Sequence, residues 1–185
     1  MKPRDFDPLR LDVERFAADG GRLQGQWPLA AMHRLTDACH PEAAPAAGDV
    51  VDWQAVGERR RPAGSVAQTW LHLVLTARVT LVCQRCLGPS EAPLEVDRWF
   101  RFVDGETQAT ALDAETEEDV LASTRALDLR QLAEDELLLA LPLVPRHEVC
   151  PVPLHPAVGG SDVPTEAEPA EHPFAALAGL RRPPH

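Results

Sequence analysis

The chain has 185 residues and a formal net charge of −11, with 44% apolar and 25% charged residues. This composition is typical of a soluble globular protein, and the length predicts one domain whose core requires neither disulfides nor a metal. No stretch approaches the roughly 18 consecutive apolar residues that a membrane-spanning helix needs, so we expect no membrane segment.

The sequence start and the cysteine content bear on the compartment. The opening residues MKPRDFD contain no apolar stretch of the kind that follows the basic start of a secretory signal. We therefore expect a cytoplasmic protein. In that compartment cysteines are reduced thiols or metal ligands. The cysteines concerned are Cys39, Cys83, Cys86 and Cys150.

The N-terminal third contains two short predicted elements. Residues 23–27 (LQGQW) favour a short strand, and residues 29–35 (LAAMHRL) favour a short helix. Residues 41–48 contain two prolines and a glycine, which predict a loop between these elements and the next strand.

Three longer segments alternate between apolar and polar residues, which is the pattern of half-buried strands. They are residues 48–58, 66–82 and 93–103. A turn-rich connector at residues 83–90 separates the second segment from the third, as in an antiparallel hairpin with an enlarged end. We therefore predict an α+β fold, in which an antiparallel sheet of about four to five strands packs with a few helices.

Residues 104–119 form the most acidic part of the chain, with seven acidic residues and no basic one. They are rich in Thr and Ala and contain almost no large apolar residue, so burial cannot offset the entropy of ordering them. The segment is therefore predicted to be a mobile acidic loop.

The clearest helical pattern follows this segment, with apolar residues at helical spacing from Leu129 to Leu141. Asp128 is placed to cap the first free amides, and Pro142 ends the pattern. The last turn is apolar nearly all round and is expected to be deeply packed. The acidic residues Glu134, Asp135 and Glu136 are expected on the solvent side, since consecutive helical positions point in different directions.

The C-terminal part is rich in proline. Residues 142–156 contain five prolines and predict an extended, irregular path. Residues 157–172 have the composition of a flexible linker, and residues 173–182 favour a short docking helix with Pro173 at its first position. We therefore predict one domain over 1–156, the linker over 157–172 and the docking helix over 173–182.

The pair Cys83-x-x-Cys86 carries the strongest chemical signal. Two thiolates at this spacing in a turn can share one zinc ion, and His147 and Cys150 would complete a Cys3His set if the fold brings them near. Two other interpretations stay open. The pair could be a thioredoxin-type redox motif, although such a motif should begin a helix after a parallel strand. The cysteines could also pack as small apolar residues. Cys39 has no partner at ligand spacing and is expected to be a buried or free thiol.

Catalytic motifs are missing from the sequence. It contains no glycine-rich phosphate loop, no G-x-S-x-G and no H-E-x-x-H. His72 lies on the polar side of a predicted strand, where a structural role is more common than a catalytic one. We therefore predict no enzymatic activity and no catalytic residue.

Three strings occur in an order that resembles the YceD family. They are CQRCL at 83–87, EDELLLALPLVP at 134–145 with His147 and Cys150 behind it, and PFAAL at 173–177. Members are called large ribosomal RNA subunit accumulation proteins. The resemblance implies a non-enzymatic role in the synthesis, processing or stability of the large-subunit (23S) ribosomal RNA in bacteria and plastids. It implies no established cofactor. The alternatives are a zinc-stabilised interaction module with another partner, or a CxxC dithiol oxidoreductase.

The negative charge bears on how such a role would be carried out. An acidic protein lacks the counterion-release contribution that supplies much nonspecific affinity for nucleic acid, so direct RNA binding stays an open question. We therefore expect a protein partner, either a pre-large-subunit particle or a basic ribosomal or assembly protein. It would meet the acidic segment 104–119 and the acidic start of the long helix.

Overall fold

A computed structural model describes residues 6–64 and 66–151 of the chain. The described residues form four α-helices and one 3-10 turn at Leu29–Ala31. The helices are α1 (Val13–Ala18), α2 (His33–Asp37), α3 (Glu106–Asp113) and α4 (Leu129–Leu139). The strands are β1 (Arg22–Pro28), β2 (Val50–Arg60), β3 (Gln68–Val82), β4 (Pro89–Val103) and β5 (Asp119–Ala122).

The five strands form one sheet in the order β1-β2-β3-β4-β5. Neighbouring strands are antiparallel except for β4 and β5, which are parallel. A parallel neighbour needs a crossover connection, and α3 supplies it between β4 and β5. The predicted α+β fold with a mostly antiparallel sheet is confirmed. The predicted strands are present, and β4 begins four residues earlier than the alternation alone indicated.

The core lies on one face of the sheet, as the alternation in the sequence predicted. Leu71, Leu73 and Leu75 of β3 are fully buried on that face, whereas Thr76 and Arg78 are exposed. Helix α1 packs on β2 and β3, and α4 packs on β3 and β4. The largest fully buried side chains of the core include Phe16, Leu29, Met32, Leu35, Leu94, Leu129 and Leu137.

The prediction of a loop over 104–119 is wrong. Helix α3 occupies Glu106–Asp113, and β5 begins at Asp119. Ala109 of α3 and Val120 of β5 are both buried, and Asp113 accepts a hydrogen bond from the Val120 backbone at 3.2 Å. The composition of the segment did not indicate this helix. One small apolar residue of α3, Ala109, is buried, and α3 packs against β5.

The end of α4 is less buried than the apolar sequence predicted. The N-cap is confirmed, since Asp128 Oδ1 accepts from the backbone nitrogens of Arg130 and Gln131 at 3.0 Å each. Leu137 is fully buried, but Leu139 is 75% exposed, so the prediction of a deeply packed last turn is wrong. The helix lies on the surface of the sheet, and only one side of its last turn reaches the core.

The prediction that the α4 carboxylates face solvent is wrong for two of them. Glu134 Oε2 lies 3.1 Å from a guanidinium nitrogen of Arg34. Glu136 is 9% exposed, and its Oε2 lies 3.7 Å from Arg98 Nε. Both arginines lie elsewhere in the chain, so helical spacing alone could not identify these ion pairs.

Other predictions have mixed outcomes or fall outside the described part. Strand β1 and helix α2 take the places predicted for a short strand and a short helix, and α1 was not predicted. The linker at 157–172 and the docking helix at 173–182 lie outside the described residues, and the boundaries 1–156 stay a prediction. None of the described helices is long and apolar enough to cross a membrane.

Candidate metal centre

The first part of the candidate site is the loop at the end of the β3–β4 hairpin, which carries Cys83 and Cys86. The Cys83 backbone nitrogen donates to Gly88 O at 2.9 Å, and the Leu87 nitrogen donates to Cys83 O at 2.8 Å. Leu87 adopts a positive φ of 61°, which turns the chain back into β4. This tight loop directs both cysteine side chains towards the same neighbouring segment.

That neighbouring segment is residues 141–151, which follow α4 and contain His147 and Cys150. The Gln84 backbone nitrogen donates to Pro145 O at 2.8 Å. His147 Nε2 lies 2.8 Å from Pro89 O. These two contacts hold the segment against the hairpin end, although the segments are about 60 residues apart in sequence.

The structure brings together the four residues predicted as zinc ligands. Their ligand atoms all lie within 4.8 Å of one another. Cys83 Sγ is 3.9 Å from Cys150 Sγ, and Cys86 Sγ is 3.4 Å from His147 Nδ1. Cys83 is buried, and the other three are partly exposed. The proximity on which the prediction depends is therefore present in the fold.

The distances between these atoms fit a tetrahedral zinc site. A Zn–S distance of about 2.3 Å places two sulfur ligands about 3.8 Å apart, and a Zn–N distance of about 2.0 Å gives about 3.5 Å between sulfur and nitrogen. The observed separations of 3.9 Å and 3.4 Å are close to these values. Because His147 Nε2–H donates to the Pro89 carbonyl, its Nδ1 carries the lone pair that a metal would bind.

The electrostatic surroundings favour thiolate at two of the three cysteines. Burial opposes ionisation of Cys83, but backbone hydrogen bonds from Cys86, His147 and Arg85 lower its pKa to about 5. Burial also opposes ionisation of Cys150, and the Arg85 side chain lowers the pKa of this thiol below its usual range. The thiolate is the form that binds metals. The lowered pKa values of Cys83 and Cys150 therefore favour the ionised form that binds a metal cation.

The other two members have raised pKa values. The hydrogen bond with Cys150 is the main cause that raises the pKa of His147, and the carbonyl of Pro89 adds to it. The Gly88 backbone N–H lowers the pKa of Cys86, but burial and the neighbouring thiols outweigh it and raise the pKa overall. These opposite shifts are what four close groups produce when they share protons.

A site with four protein ligands and no open position is the pattern of a structural zinc centre. Such a centre would join the hairpin end to the segment after α4. The redox interpretation requires a helix that begins at the C-x-x-C motif, whereas Cys86 is followed here by the turn into β4. Packing as a small apolar residue describes Cys39, which is buried and whose Sγ lies 3.4 Å from Leu35 O.

Sequence reasoning missed two residues that hold the hairpin end in place. Arg85, between the two cysteines, donates from Nε to Cys150 Sγ at 2.9 Å. His40 is buried, with Nε2 3.3 Å from Leu87 O. The position of Arg85 between Cys83 and Cys86 could have indicated that it contacts the cluster. His40 gave no such signal, because its contact depends on how the 38–43 loop packs on the sheet.

His72 belongs to a different cluster, on the face of the sheet opposite the core. Its ring stacks on Trp99 with 4.3 Å between ring centroids, and its Nε2 lies 2.6 Å from Asp97 Oδ1. The Arg60 guanidinium lies 4.0 Å from the centroid of Trp99. These contacts give His72 a packing role.

Exposed apolar side chains are concentrated in and next to the segments that form the candidate metal centre. Among the described residues, five of the seven exposed large apolar side chains belong to the hairpin end, the last turn of α4 or the segment after it. Clusters of this kind on a protein surface often mark contact sites for other proteins. The five residues are Leu87, Leu139, Leu143, Val144 and Val149.

Comparison with known proteins identifies the family. Residues 71–181 match the family described as "Large ribosomal RNA subunit accumulation protein YceD". A relative of that name from Haemophilus influenzae is 39% identical over 106 residues, which are 56% of this chain and 60% of the relative. The alignment therefore spans less than two thirds of the relative's length. No solved structure matches the chain. Since the family match covers more than half of the sequence and includes all four clustered residues, the chain belongs to the YceD family.

Proposed function

We propose that this protein is a non-enzymatic factor for the synthesis, processing or stability of large-subunit (23S) ribosomal RNA, and that it acts in the cytoplasm. The observation that carries the proposal is the family match over residues 71–181, whose description names large ribosomal RNA subunit accumulation. The matched region contains β3 from Leu71 onward, the whole of β4 and the candidate metal centre, so the proposed role involves the same part of the fold.

In this proposal Cys83, Cys86, His147 and Cys150 hold one zinc ion. When bound, zinc would supply a structural cross-link between the hairpin end and the segment after α4. The residues themselves position each other: the Pro89 carbonyl orients His147, and the tight loop at Leu87 directs the two hairpin cysteines. The centre thereby fixes the surface on which the exposed apolar side chains lie.

The proposed partner is a basic ribosomal or assembly protein, or a pre-large-subunit particle that presents one. The acidic residues of α4 are less suited to this contact than the sequence suggested, because Arg34 and Arg98 already pair with Glu134 and Glu136. Exposed carboxylates of the 104–119 segment, such as Glu106, remain available. Their charge would attract a basic partner and make the association sensitive to salt.

Depletion of the protein in its own cells tests the role in ribosomal RNA. Mature large-subunit RNA should fall relative to small-subunit RNA, and the full-length wild-type chain should restore the ratio. The variant Cys83→Ser should restore it less well, whereas the control Cys39→Ala should restore it fully, because Cys39 lies outside the cluster. An unchanged RNA ratio after depletion would contradict the proposal.

Charge neutralisation tests the proposed partner surface. The variant Glu106→Gln/Glu115→Gln/Glu117→Gln removes three exposed charges in and just after α3. The variant Asp37→Asn/Glu42→Gln/Glu95→Gln removes three exposed charges elsewhere. The first should weaken co-sedimentation with pre-large-subunit particles, most strongly at low salt where the removed charges are least screened, and the second should not. Equal behaviour of the two triple variants would argue against this surface.

A second candidate function is a zinc-stabilised interaction module for a different partner. The Cys3His cluster and the apolar residues around it favour this alternative as much as a ribosomal role. The depletion experiment separates the two. A protein that holds zinc but whose loss leaves the RNA ratio unchanged would be such a module.

A further inference from the structure

Arg85 connects the two segments that form the candidate metal centre. It lies between Cys83 and Cys86 on the hairpin end, and its side chain reaches across to the segment after α4. There Nε donates to Cys150 Sγ at 2.9 Å, and Nη2 donates to the carbonyl oxygens of His147 and Glu148 at 3.1 Å and 3.3 Å. One planar guanidinium therefore fixes a ligand sulfur and the backbone that carries two ligands.

The contact to Cys150 is specific among the ligands. Cys83 and Cys86 are held by the hydrogen bonds of the tight loop, and His147 is held by Pro89. The Cys150 sulfur accepts the Arg85 Nε–H at 2.9 Å, and it also interacts with the His147 side chain. Arg85 therefore links the hairpin end directly to the Cys150 sulfur, and within the described residues its guanidinium donates to none of the other three ligand atoms.

The charge of Arg85 fits the donor set. Three thiolates and one Zn²⁺ sum to a single negative charge, and the guanidinium supplies a single positive charge beside one of the sulfurs. Arginine keeps this charge at all physiological pH values and can form several hydrogen bonds from one plane. A lysine at this position would supply the positive charge, but its single ammonium group could not donate to the sulfur and the two carbonyl oxygens in the planar geometry of a guanidinium.

We propose that Arg85 is a positioning residue of the metal centre, which holds Cys150 and the backbone of residues 147–148 against the hairpin end and offsets the charge of the zinc–thiolate unit. This inference rests on the zinc site of the proposed function. Arg85 is not itself a ligand. It orients ligands through N–H···S and N–H···O hydrogen bonds, and the loss of such outer contacts typically reduces metal affinity about 10–100-fold.

The test uses the full-length chain with Zn²⁺ and Co²⁺ as probes. The variants are Arg85→Met, which removes donors and charge, Arg85→Lys, which keeps the charge, and the control Arg146→Met. Arg146 is exposed in the same segment and forms no hydrogen bond or ion pair with any described residue. Zinc affinity is measured by competition with a chelator, and the sulfur-to-cobalt charge-transfer band by absorption. Circular dichroism verifies that each variant is folded.

Arg85→Met should raise the dissociation constant for Zn²⁺ by about 10–100-fold and shift the charge-transfer band to lower energy, because the sulfur loses an N–H donor. Arg85→Lys should recover part of the affinity, and Arg146→Met should match the wild type. The proposal is overturned if Arg85→Met lowers only the melting temperature and leaves the Zn²⁺ affinity and the charge-transfer band unchanged. Arg85 would then have a purely structural role. A wild-type chain that binds no Zn²⁺ overturns the metal site as well. Neither readout depends on the role in ribosomal RNA.

Discussion

The Glu134 carboxylate lies at the N-terminus of α2, where its Oε1 accepts the Arg34 backbone N–H at 2.7 Å. The same oxygen accepts from Leu35 N at 3.2 Å, and Oε2 contacts the Arg34 guanidinium. The N-cap residue of α2, Met32, provides no side-chain cap. A residue of α4, 100 positions later in the sequence, therefore satisfies two of the free amides of a five-residue helix.

Removal of this carboxylate should destabilise the fold. Glu134→Ala leaves two backbone donors without their acceptor and removes one of the two carboxylates that pair with Arg34, so we expect the free energy of unfolding to fall by about 1–3 kcal/mol. Urea denaturation measures the change. Asp135→Ala is the matched control, since Asp135 is 44% exposed and contacts only the exposed Arg34 side chain. Its expected cost is below about 1 kcal/mol, and equal costs for both variants would contradict a capping role for Glu134.

Close contact between α1 and β2 requires glycine at position 57. A Cβ atom there would lie 2.7 Å from the Phe16 ring and 2.8 Å from the backbone of Ala17. The ring can rotate, but the helix backbone can only move away from the sheet. Gly57→Ala should therefore lower the free energy of unfolding by about 1–3 kcal/mol.

Gly48→Ala is the control for this prediction, since no heavy atom lies within 4 Å of a Cβ atom at Gly48. Its effect should stay within about 0.5 kcal/mol. Both values can be measured by thermal or urea unfolding. Equal stability of the two variants would mean that α1 shifts on the sheet without cost.

Periodicity predicted the sheet well because burial on one face imposes a strict two-residue repeat on β2, β3 and β4. It could not predict the exception at Arg98, which occupies an inward position of β4 and pairs with Glu136 of α4. Arg98 is 51% exposed there and also pairs with Asp119 of β5 at 3.2 Å. Ion pairs of this kind depend on tertiary packing, which the pattern of a single segment does not contain.

The candidate ligands were predictable from the sequence, because C-x-x-C in a turn and H-x-x-C on a proline-rich segment are short-range patterns. Their proximity required the correct packing of a hairpin against a helix end. The supporting contacts of Arg85 and Pro89 could not be predicted, since they depend on individual side-chain and carbonyl positions. Local motifs thus indicate donor types, and the fold determines which groups orient them.

Metal content tests the four-residue cluster directly. The purified full-length protein should contain one zinc per chain, and Cys150→Ser should lose it because a Cys2His set lacks the fourth ligand. Elemental analysis gives the stoichiometry. Cys39→Ala should keep its zinc, since Cys39 Sγ contacts the Leu35 carbonyl outside the cluster. Equal zinc content in Cys150→Ser and in the wild type would exclude Cys150 as a ligand.

Glu136 should make the stability of the fold depend on pH. Burial raises the pKa of this carboxyl above its ordinary value, although Arg98 opposes the shift. Between the pKa values of the unfolded and folded states, the folded protein binds more protons than the unfolded chain does. The contribution of Glu136 to the free energy of unfolding is therefore complete below the unfolded pKa and declines as pH rises through the folded pKa.

The variant Glu136→Gln resembles the protonated carboxyl at every pH and so lacks this decline. Urea denaturation gives the free energy of unfolding of each protein. As pH rises from 4 towards 7, this free energy should fall for the wild type relative to Glu136→Gln. Glu95→Gln serves as the control for removal of one exposed carboxylate. If the difference instead grows in favour of the wild type, the ion pair with Arg98 at 3.7 Å outweighs the cost of burying the charge.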